Sequence, residues 1–336
     1  MKKVKLSVII PVYNMEMYIE QCLLSTLNQD IPKDEYEIIV VDDCSTDNSI
    51  KIVERYQKIN SNIKIIRHSK NKRQGGARNT GVKAALGEYI LFLDADDYFA
   101  ENMYKQLLST ALNNNLEIVN FDYYYQEDDG TFSRGNSGAH CSLDIMSGAS
   151  YLKKNGLIYK NIWTRLYKRS LLVDNDIWFT EHVTFEDVDF AVKALYCAKR
   201  CMFVPINALY YRYNFESTAR QKIKGDRLAD QVKLANRLLH FLNNIQSIDN
   251  EIYRIFSRMA IKIAKISITR SVFLDTNERN IFYDSLEQDH DKCEMLTNSL
   301  PNTYKFYMRH RIVVNFIFSP LCSFLRLVLE IRRKII

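Results

Sequence analysis

Tyr89-Ile90-Leu91-Phe92-Leu93-Asp94-Ala95-Asp96-Asp97 decides the fold. Its first five residues run without a polar break, the pattern of a strand buried on both faces in a parallel sheet. Three carboxylates then arrive within four positions. On an extended backbone Asp94 and Asp96 point to one side, with Cα atoms about 6–7 Å apart. That spacing serves a single hard cation, or a cation and a ribose. In open α/β sheets ligands bind beyond the carboxyl ends of the strands. The same residues also fit a solvated acidic turn in which Asp97 caps the next helix.

The residues before this stretch repeat the theme. Lys5 to Ile10 reads as a strand closed by Pro11, and Val12-Tyr13-Asn14 as a loop. From Met15 to about Gln29, Tyr18, Ile19, Cys22, Leu23 and Leu27 fall at helical spacing. Tyr36 to Val41 is a second buried strand, ending in Asp42-Asp43-Cys44-Ser45-Thr46-Asp47. Asp47 is expected to cap the helix that carries Ile50, Val53 and Tyr56. Ile63 to Ile66 is a third strand, and Gly75-Gly76 opens a helix that runs to about Leu86. Strands alternating with helices give a parallel sheet covered on both faces. Acidic groups therefore end two strands: Asp42 and Asp43, then Asp94 and Asp96. Neither a Gly-x-Gly-x-x-Gly nor a Gly-x-x-x-x-Gly-Lys-Ser/Thr is present, which argues against a dinucleotide dehydrogenase and a P-loop NTPase.

Composition narrows the class further. The net charge is +6 from 46 basic and 40 acidic side chains, too balanced to indicate nucleic-acid binding. The seven cysteines are scattered, without Cys-x-x-Cys spacing, which favours a reducing compartment over a structural zinc site. The N-terminus lacks a signal-peptide pattern, so a cytoplasmic location is expected.

Four motifs occur in order: Pro11-Val12-Tyr13-Asn14, Val41-Asp42-Asp43-Cys44-Ser45-Thr46-Asp47, Ala77-Arg78-Asn79-Thr80-Gly81 and Leu93-Asp94-Ala95-Asp96-Asp97. Each alone is weak. Together they resemble the family 2 glycosyltransferases, with the GT-A fold, over about residues 5 to 215. Cys44 stands where that family usually has glycine. The resemblance implies an α/β, Rossmann-like fold with a mostly parallel sheet. Residues 1–220 would be the transferase domain, 1–100 its nucleotide-binding half and 101–220 its acceptor half. Residues 221–336 would be a helical C-terminal region.

The resemblance also implies roles. Asp94 and Asp96 would hold a divalent cation, Mn2+ or Mg2+, that bridges the donor diphosphate, with Asp96 the more direct ligand. Pro11, Tyr13, Asp42 and Asp43 would line the base and ribose pocket. Arg78 would face the nucleotide or balance the acidic cleft through Asp42 or Asp94. Trp163 to Arg169 is similar to the segment preceding the family's base. The family's Glu-Asp pair falls on Glu186-Asp187, with Asp187 as general base and Asp189 as competitor. Thr184-x-x-Asp187 before an apolar helix equally fits a capping box. Arg212, after the strand-like Tyr210-Tyr211, would reach the diphosphate or remain a surface charge. The implied reaction inverts configuration, moving a sugar from a UDP-sugar to a saccharide or lipid-linked saccharide in surface polysaccharide synthesis. A nucleotidyltransferase and a non-catalytic nucleotide-sugar-binding relative are the alternatives.

Glu117 to Tyr125 reads as a tyrosine-rich strand, Asp128 to Thr131 as a hairpin turn, and Ser133 to Gly148 as a Gly/Ser-rich loop. Leu228, Val232, Ala235, Leu238, Leu239 and Leu242 form one helical stripe. Ile252, Ile255, Phe256, Met259, Ile263 and Ile266 form another. Residues 312–334 pattern as an amphipathic helix with basic flanks. Such a helix can lie on a membrane surface, pack on its own domain or join a homodimer.

Overall fold

Segments dominated by apolar residues become the central strands of one sheet. The computed structural model describes residues 3–127, 129–135, 144–155, 161–214, 224–246, 248–288 and 290–311. Asp128, residues 136–143 of the Gly/Ser-rich stretch and the 312–334 segment lie outside them. Contacts divide the chain into two compact units, Met1–Ser217 and Thr218–Ile336.

The first unit runs β1 (Leu6–Val12), α1 (Ile19–Leu27), β2 (Tyr36–Asp42), α2 (Ser49–Gln57), β3 (Ile63–Arg67), α3 (Arg73–Ala84) and β4 (Tyr89–Phe92). It continues through β5 (Tyr98–Phe99), α4 (Tyr104–Asn113), β6 (Ile118–Gln126), β7 (Phe132–Gly135) and α5 (Gly148–Asn155). A 3-10 turn (Ile162–Thr164) leads into β8 (Arg165–Lys168), α6 (Arg169–Asp174), α7 (Glu186–Cys197) and β9 (Cys201–Tyr211). The sheet order is β3-β2-β1-β4-β8-β6-β9-β5, with β7 paired to β6. The first four strands are parallel; β8 runs antiparallel to both β4 and β6.

All seven residues of β1 are buried, as are all four of β4. Each fully buried aliphatic side chain contributes roughly 1.5–3 kcal/mol. The expected stop at Pro11 does not occur, because β1 continues to Val12 and pairs Pro11 with Val41. The neighbour on the other side has ended, the last β1–β4 pair being Ile9–Phe92. No strand there asks for the N–H that proline lacks. The long β9 accommodates Pro205 in the same way. Its register against β6 shifts between Asn120 and Asp122 and again before Tyr123, so the proline lies in a bulged stretch.

The second unit contains α8 (Gly225–Asn243), α9 (Asn250–Val272), α10 (Thr276–Glu287), α11 (His290–Ser299) and α12 (Asn302–Arg309). The stripe expected on α8 is buried throughout. On α9 the stripe is corrected: Ile266 is exposed, and the buried face is Ile252, Phe256, Ala260, Ala264, Ser267 and Ile268. Small residues on that face let the backbones of α8 and α9 come close. Among the described residues no helix is long and apolar enough to cross a membrane.

Candidate active site

The sheet order places a switch point between β1 and β4. From β1 the chain steps to β2 and β3 on one side, then crosses to β4 on the other. A crevice opens at the carboxyl ends of such strands. The loop after β1 and the acidic turn after β4 flank it.

Pro11 is buried in β1 and Tyr13 is 48% exposed beyond it. Val12 pairs with Asp42, so the ends of β1 and β2 lie side by side. Ser45 and Asn14 join the two loops: the Asn14 N–H donates to Ser45 Oγ (3.2 Å), and the Thr46 N–H to Asn14 Oδ1 (2.8 Å). Asp42 Oδ1 accepts the Ser45 N–H at 2.9 Å. Asp43 is turned to internal work. Its Oδ1 accepts the Lys72 N–H (2.8 Å) and meets His68 Nδ1 (2.7 Å), whose Nε2 meets Thr80 Oγ1 (2.8 Å). Asp43 therefore ties β2 to the loop that leads into α3. Cys44 has φ +69°, the left-handed conformation that a glycine adopts without strain. Asp47 accepts from Ser49 N and Glu16 N, one residue before the formal cap Asn48.

The extended geometry expected for Asp94 and Asp96 is replaced by a turn. The Asp97 N–H donates to Asp94 O at 3.0 Å, and β4 has already ended at Phe92. The chain must reverse quickly to enter β5, and the turn sends the two carboxylates to different partners. Asp94 Oδ1 accepts from Arg78 Nη2 at 2.6 Å. Asp96 Oδ2 accepts from Asn214 Nδ2 at 2.9 Å. Asp97 caps no helix; its Oδ1 accepts the Arg212 N–H, while its buried Oδ2 has no partner among the described residues. Burial, aided by Asp94, raises the Asp96 pKa; burial, aided by Asp96 and Asp94, raises that of Asp97 well above the usual range.

Arg212 is fully engaged at this turn. Its Nε donates to Asp96 O, Nη1 to Gln21 Oε1 (2.7 Å) and Nη2 to Tyr18 O (3.2 Å). The guanidinium lies 5.0 Å from the Tyr18 ring centroid and 5.3 Å from that of Tyr98. In this arrangement it clamps α1, the acidic turn and the end of β9 together.

Arg78, from α3, carries the other half of the site. It is buried and bridges two carboxylates, with Nη1 donating to Glu186 Oε1 at 2.5 Å and Nη2 to Asp94. Burial opposes its charge, but Asp94, Glu186 and Asp187 outweigh that and raise its pKa. Burial raises the Glu186 pKa despite Arg78. Asp187 is half-buried, and burial plus the Glu186 charge push its pKa up to about 7. Asp189 is wholly buried and paired with Lys193 Nζ at 3.1 Å, one turn along α7. The helix begins one residue later than a cap at Thr184 would place it. The N-cap of α7 is Phe185, with φ +65° and no side-chain cap hydrogen bond. A bulky residue in that region is strained by roughly 1–3 kcal/mol and persists only where its surroundings hold it.

Those surroundings are aromatic. Phe190, one turn after Asp187, stacks on Phe179 at 3.8 Å, and Phe92 of β4 meets both edge-on. Asn79 pins the Phe179 backbone twice, donating from Nδ2 to its oxygen and accepting its N–H at Oδ1, each at 2.9 Å. Arg78 and Asn79 thus fix the charge and the position of the start of α7 from adjacent residues. Gly75 stands against the same loop: an added Cβ would lie 2.5 Å from Thr180 O and 3.1 Å from Glu186 Cγ. Gly75→Ala is expected to destabilise the chain by about 1–3 kcal/mol through overpacking. It should also lower turnover, because the loop and Glu186 must move. An unchanged melting temperature with full activity would count against this packing.

Among the sequence-derived candidates, Arg78, Asp94, Glu186 and Asp187 share one charge cluster, and Asp96 and Arg212 lie on the same turn. Pro11, Tyr13 and Asp42 gather at the adjacent strand ends. Asn79, His68 and Asn214 were not given roles from sequence. Asn79 sits inside a recognised motif, whereas Asn214 reaches Asp96 across a separation that no local pattern carries.

The model of glycosyl transferase family 2 matches residues 7–175. TarS of Staphylococcus aureus, a poly(ribitol-phosphate) beta-N-acetylglucosaminyltransferase, is 34% identical over 212 residues, covering 62% of this chain and 35% of TarS. The uncharacterized glycosyltransferase EpsJ of Bacillus subtilis is 36% identical over 213 residues, covering 62% of this chain and 61% of EpsJ. The chain thus spans about a third of TarS and under two thirds of EpsJ. The crystal structure of S. aureus TarS 1-349 in complex with UDP-GlcNAc matches with a TM-score of 0.70 at 24% identity, over 95% of this chain and 90% of that one. The shared fold agrees with the α/β architecture. On these matches, the chain belongs to glycosyl transferase family 2.

Proposed function

We propose that the protein is an inverting glycosyltransferase that moves a sugar from a nucleoside diphosphate to a saccharide or lipid-linked saccharide acceptor. The observation that carries this reading is Asp187. It stands in the first turn of α7, and its pKa near 7 suits a general base at neutral pH. Asp187 takes the proton of the acceptor hydroxyl, and that oxygen attacks the anomeric carbon as the diphosphate departs from the opposite face. One in-line displacement inverts the configuration. Glu186, held by Arg78, keeps a second negative charge beside Asp187 and so supports its basicity.

Pro11, Tyr13, Asp42 and the loop fixed by Asp43 form the base and ribose side in this reading. UDP is favoured as the nucleotide because the matching crystal structure of TarS is a complex with UDP-GlcNAc. The first hundred residues serve the donor and residues 101–220 the acceptor.

The acidic turn fits a divalent cation. Carboxylates outnumber arginines there, Asp97 Oδ2 is buried without a partner among the described residues, and the Asp96 pKa is raised by burial and by Asp94. Among the described residues no three His, Cys, Asp or Glu side chains form a ready-made cage. Mg2+-like sites commonly use one or two carboxylates plus substrate phosphates. Asp96, with Asp94, would hold the ion, which would neutralise the departing diphosphate. The five described cysteines are free thiols, in keeping with a cytoplasmic site of action. Peripheral membrane contact through 312–334 belongs to the same reading and rests on the sequence pattern.

The test is nucleotide release from a panel of nucleotide sugars with and without Mn2+. Release with one UDP-sugar, lost on chelation and restored by Mn2+, is expected. Release untouched by chelation would remove the cation from the reading. Binding of UDP without turnover on any donor and acceptor would favour a non-catalytic relative.

A further inference from the structure

Beyond the acidic turn, β5, β6 and β9 carry tyrosines that the reaction does not use. The strand register aligns Tyr98 with Tyr210 and Tyr124 with Tyr210. The rings follow it: Tyr98 stacks on Tyr210 at 4.8 Å, and Tyr210 on Tyr124 at 4.7 Å. These are the separations of neighbouring strands, so three rings stand in a row across the sheet. Phe132 of β7, 39% exposed, meets Tyr98 and Tyr210 edge-on. The three tyrosines are half-buried.

None of the Tyr98, Tyr124 and Tyr210 hydroxyls bonds to another described residue. A phenol both donates and accepts at neutral pH. The row also adjoins the site. Tyr98 follows Asp97 directly, and Arg212, which donates to Asp96 O, lies over the Tyr98 ring. A surface of aromatic carbon with a line of hydroxyls that no described residue occupies suits a molecule that alternates C–H faces and hydroxyl groups.

We propose that the Tyr98–Tyr210–Tyr124 row, closed by Phe132, binds the carbohydrate chain of the acceptor beside the acidic turn. The proposal deepens the transferase reading and rests on it for the identity of this chain as the acceptor. Ring edges pack against sugar C–H groups while the phenols donate to and accept from sugar hydroxyls.

The experiment uses the full chain and three uncharged pentasaccharide probes: a β-1,4-glucan, a β-1,4-N-acetylglucosaminan and an α-1,6-glucan. Binding is measured by calorimetry and by saturation-transfer NMR at millimolar probe. At least one probe should bind, with saturation passing from aromatic protons. The triple variant Tyr98→Phe, Tyr124→Phe, Tyr210→Phe keeps every ring and so keeps the packing. It should weaken that binding about tenfold or more, as expected for the loss of several hydrogen bonds. Tyr56→Phe, on α2, should leave it unchanged. No binding by any probe, or equal binding by the triple variant, would overturn the proposal. UDP binding is read separately from the shift in melting temperature. Absence of UDP binding in the unsubstituted chain would instead overturn the transferase reading.

Discussion

Replacing Asp187 by asparagine should lower sugar transfer by about 10²–10⁴-fold, the usual contribution of a positioned base. UDP binding should persist, because Asp187 lies on α7 and not among the strand-end loops. The unsubstituted enzyme should gain activity as pH rises through about 7, where the Asp187 carboxyl loses its proton. Stability should move the opposite way. The unfolded carboxyl titrates near the ordinary value of 3.8, the folded one near 7, so between them the folded state binds more protons. Stability from this group is therefore present at low pH and lost as pH rises through that window. The amide of the Asp187→Asn variant carries no charge to bury, so that variant should melt at a higher temperature than the unsubstituted chain at pH 8. The rate and the melting temperature should thus change in opposite directions. A variant that retains turnover would remove Asp187 from the role of base.

Arg78→Met should cost about 3–5 kcal/mol, the range for removing one partner of a buried ion pair. Methionine restores most of the side-chain volume but none of the charge. Glu186 and Asp94 then face each other and Asp187 without the cation that lies 2.5 and 2.6 Å from the first two. The loss should be larger at pH 8 than at pH 5, since protonation at low pH relieves the carboxylates. Arg78 also lowers the pKa of Asp187, so any residual activity should need a higher pH. Urea unfolding at the two pH values checks the first point and a pH–rate profile the second. The double variant Arg78→Met, Glu186→Gln should recover part of the stability, because it removes one of the stranded charges. Equal losses at both pH values, with no recovery, would mean that Arg78 acts through packing alone.

The parallel half of the fold was legible because β1, β2 and β4 are dominated by apolar residues, a signal that depends on burial and not on distant partners. The start of α7 was legible for the same reason, since Val188, Ala191, Val192 and Leu195 fall at helical spacing and are buried. The geometry of the Asp94–Asp97 stretch was not. Reading it as extended assumed that β4 continues, whereas its length is set by how far its neighbours pair, to Phe92 on one side and Leu91 on the other. Asp43 looks from sequence like a twin of Asp42, and only the approach of His68 and Lys72 gives it a different task. Ile266 fits a helical stripe by spacing, but close packing of α9 favours Ala264 and Ser267 at the contact. In each case the missing information is a tertiary contact, which propensity and periodicity do not contain.

The pairing of β4 with β8 has a consequence for biosynthesis. Tyr89 meets Lys168 and Leu91 meets Leu166, so one edge of β4 stays open until residues 165–168 have been made. Until then a nascent chain presents a short, wholly apolar strand with free backbone groups, the kind of edge that recruits other chains. Arg212 and Asn214 emerge later still, so Asp96 and Asp97 gain these partners only after β8 has been made. Slow, long-range closure of this kind exposes a chain to misassembly while it is being synthesised. Fragments that end before β8 should therefore aggregate, even though they contain every strand of the parallel half.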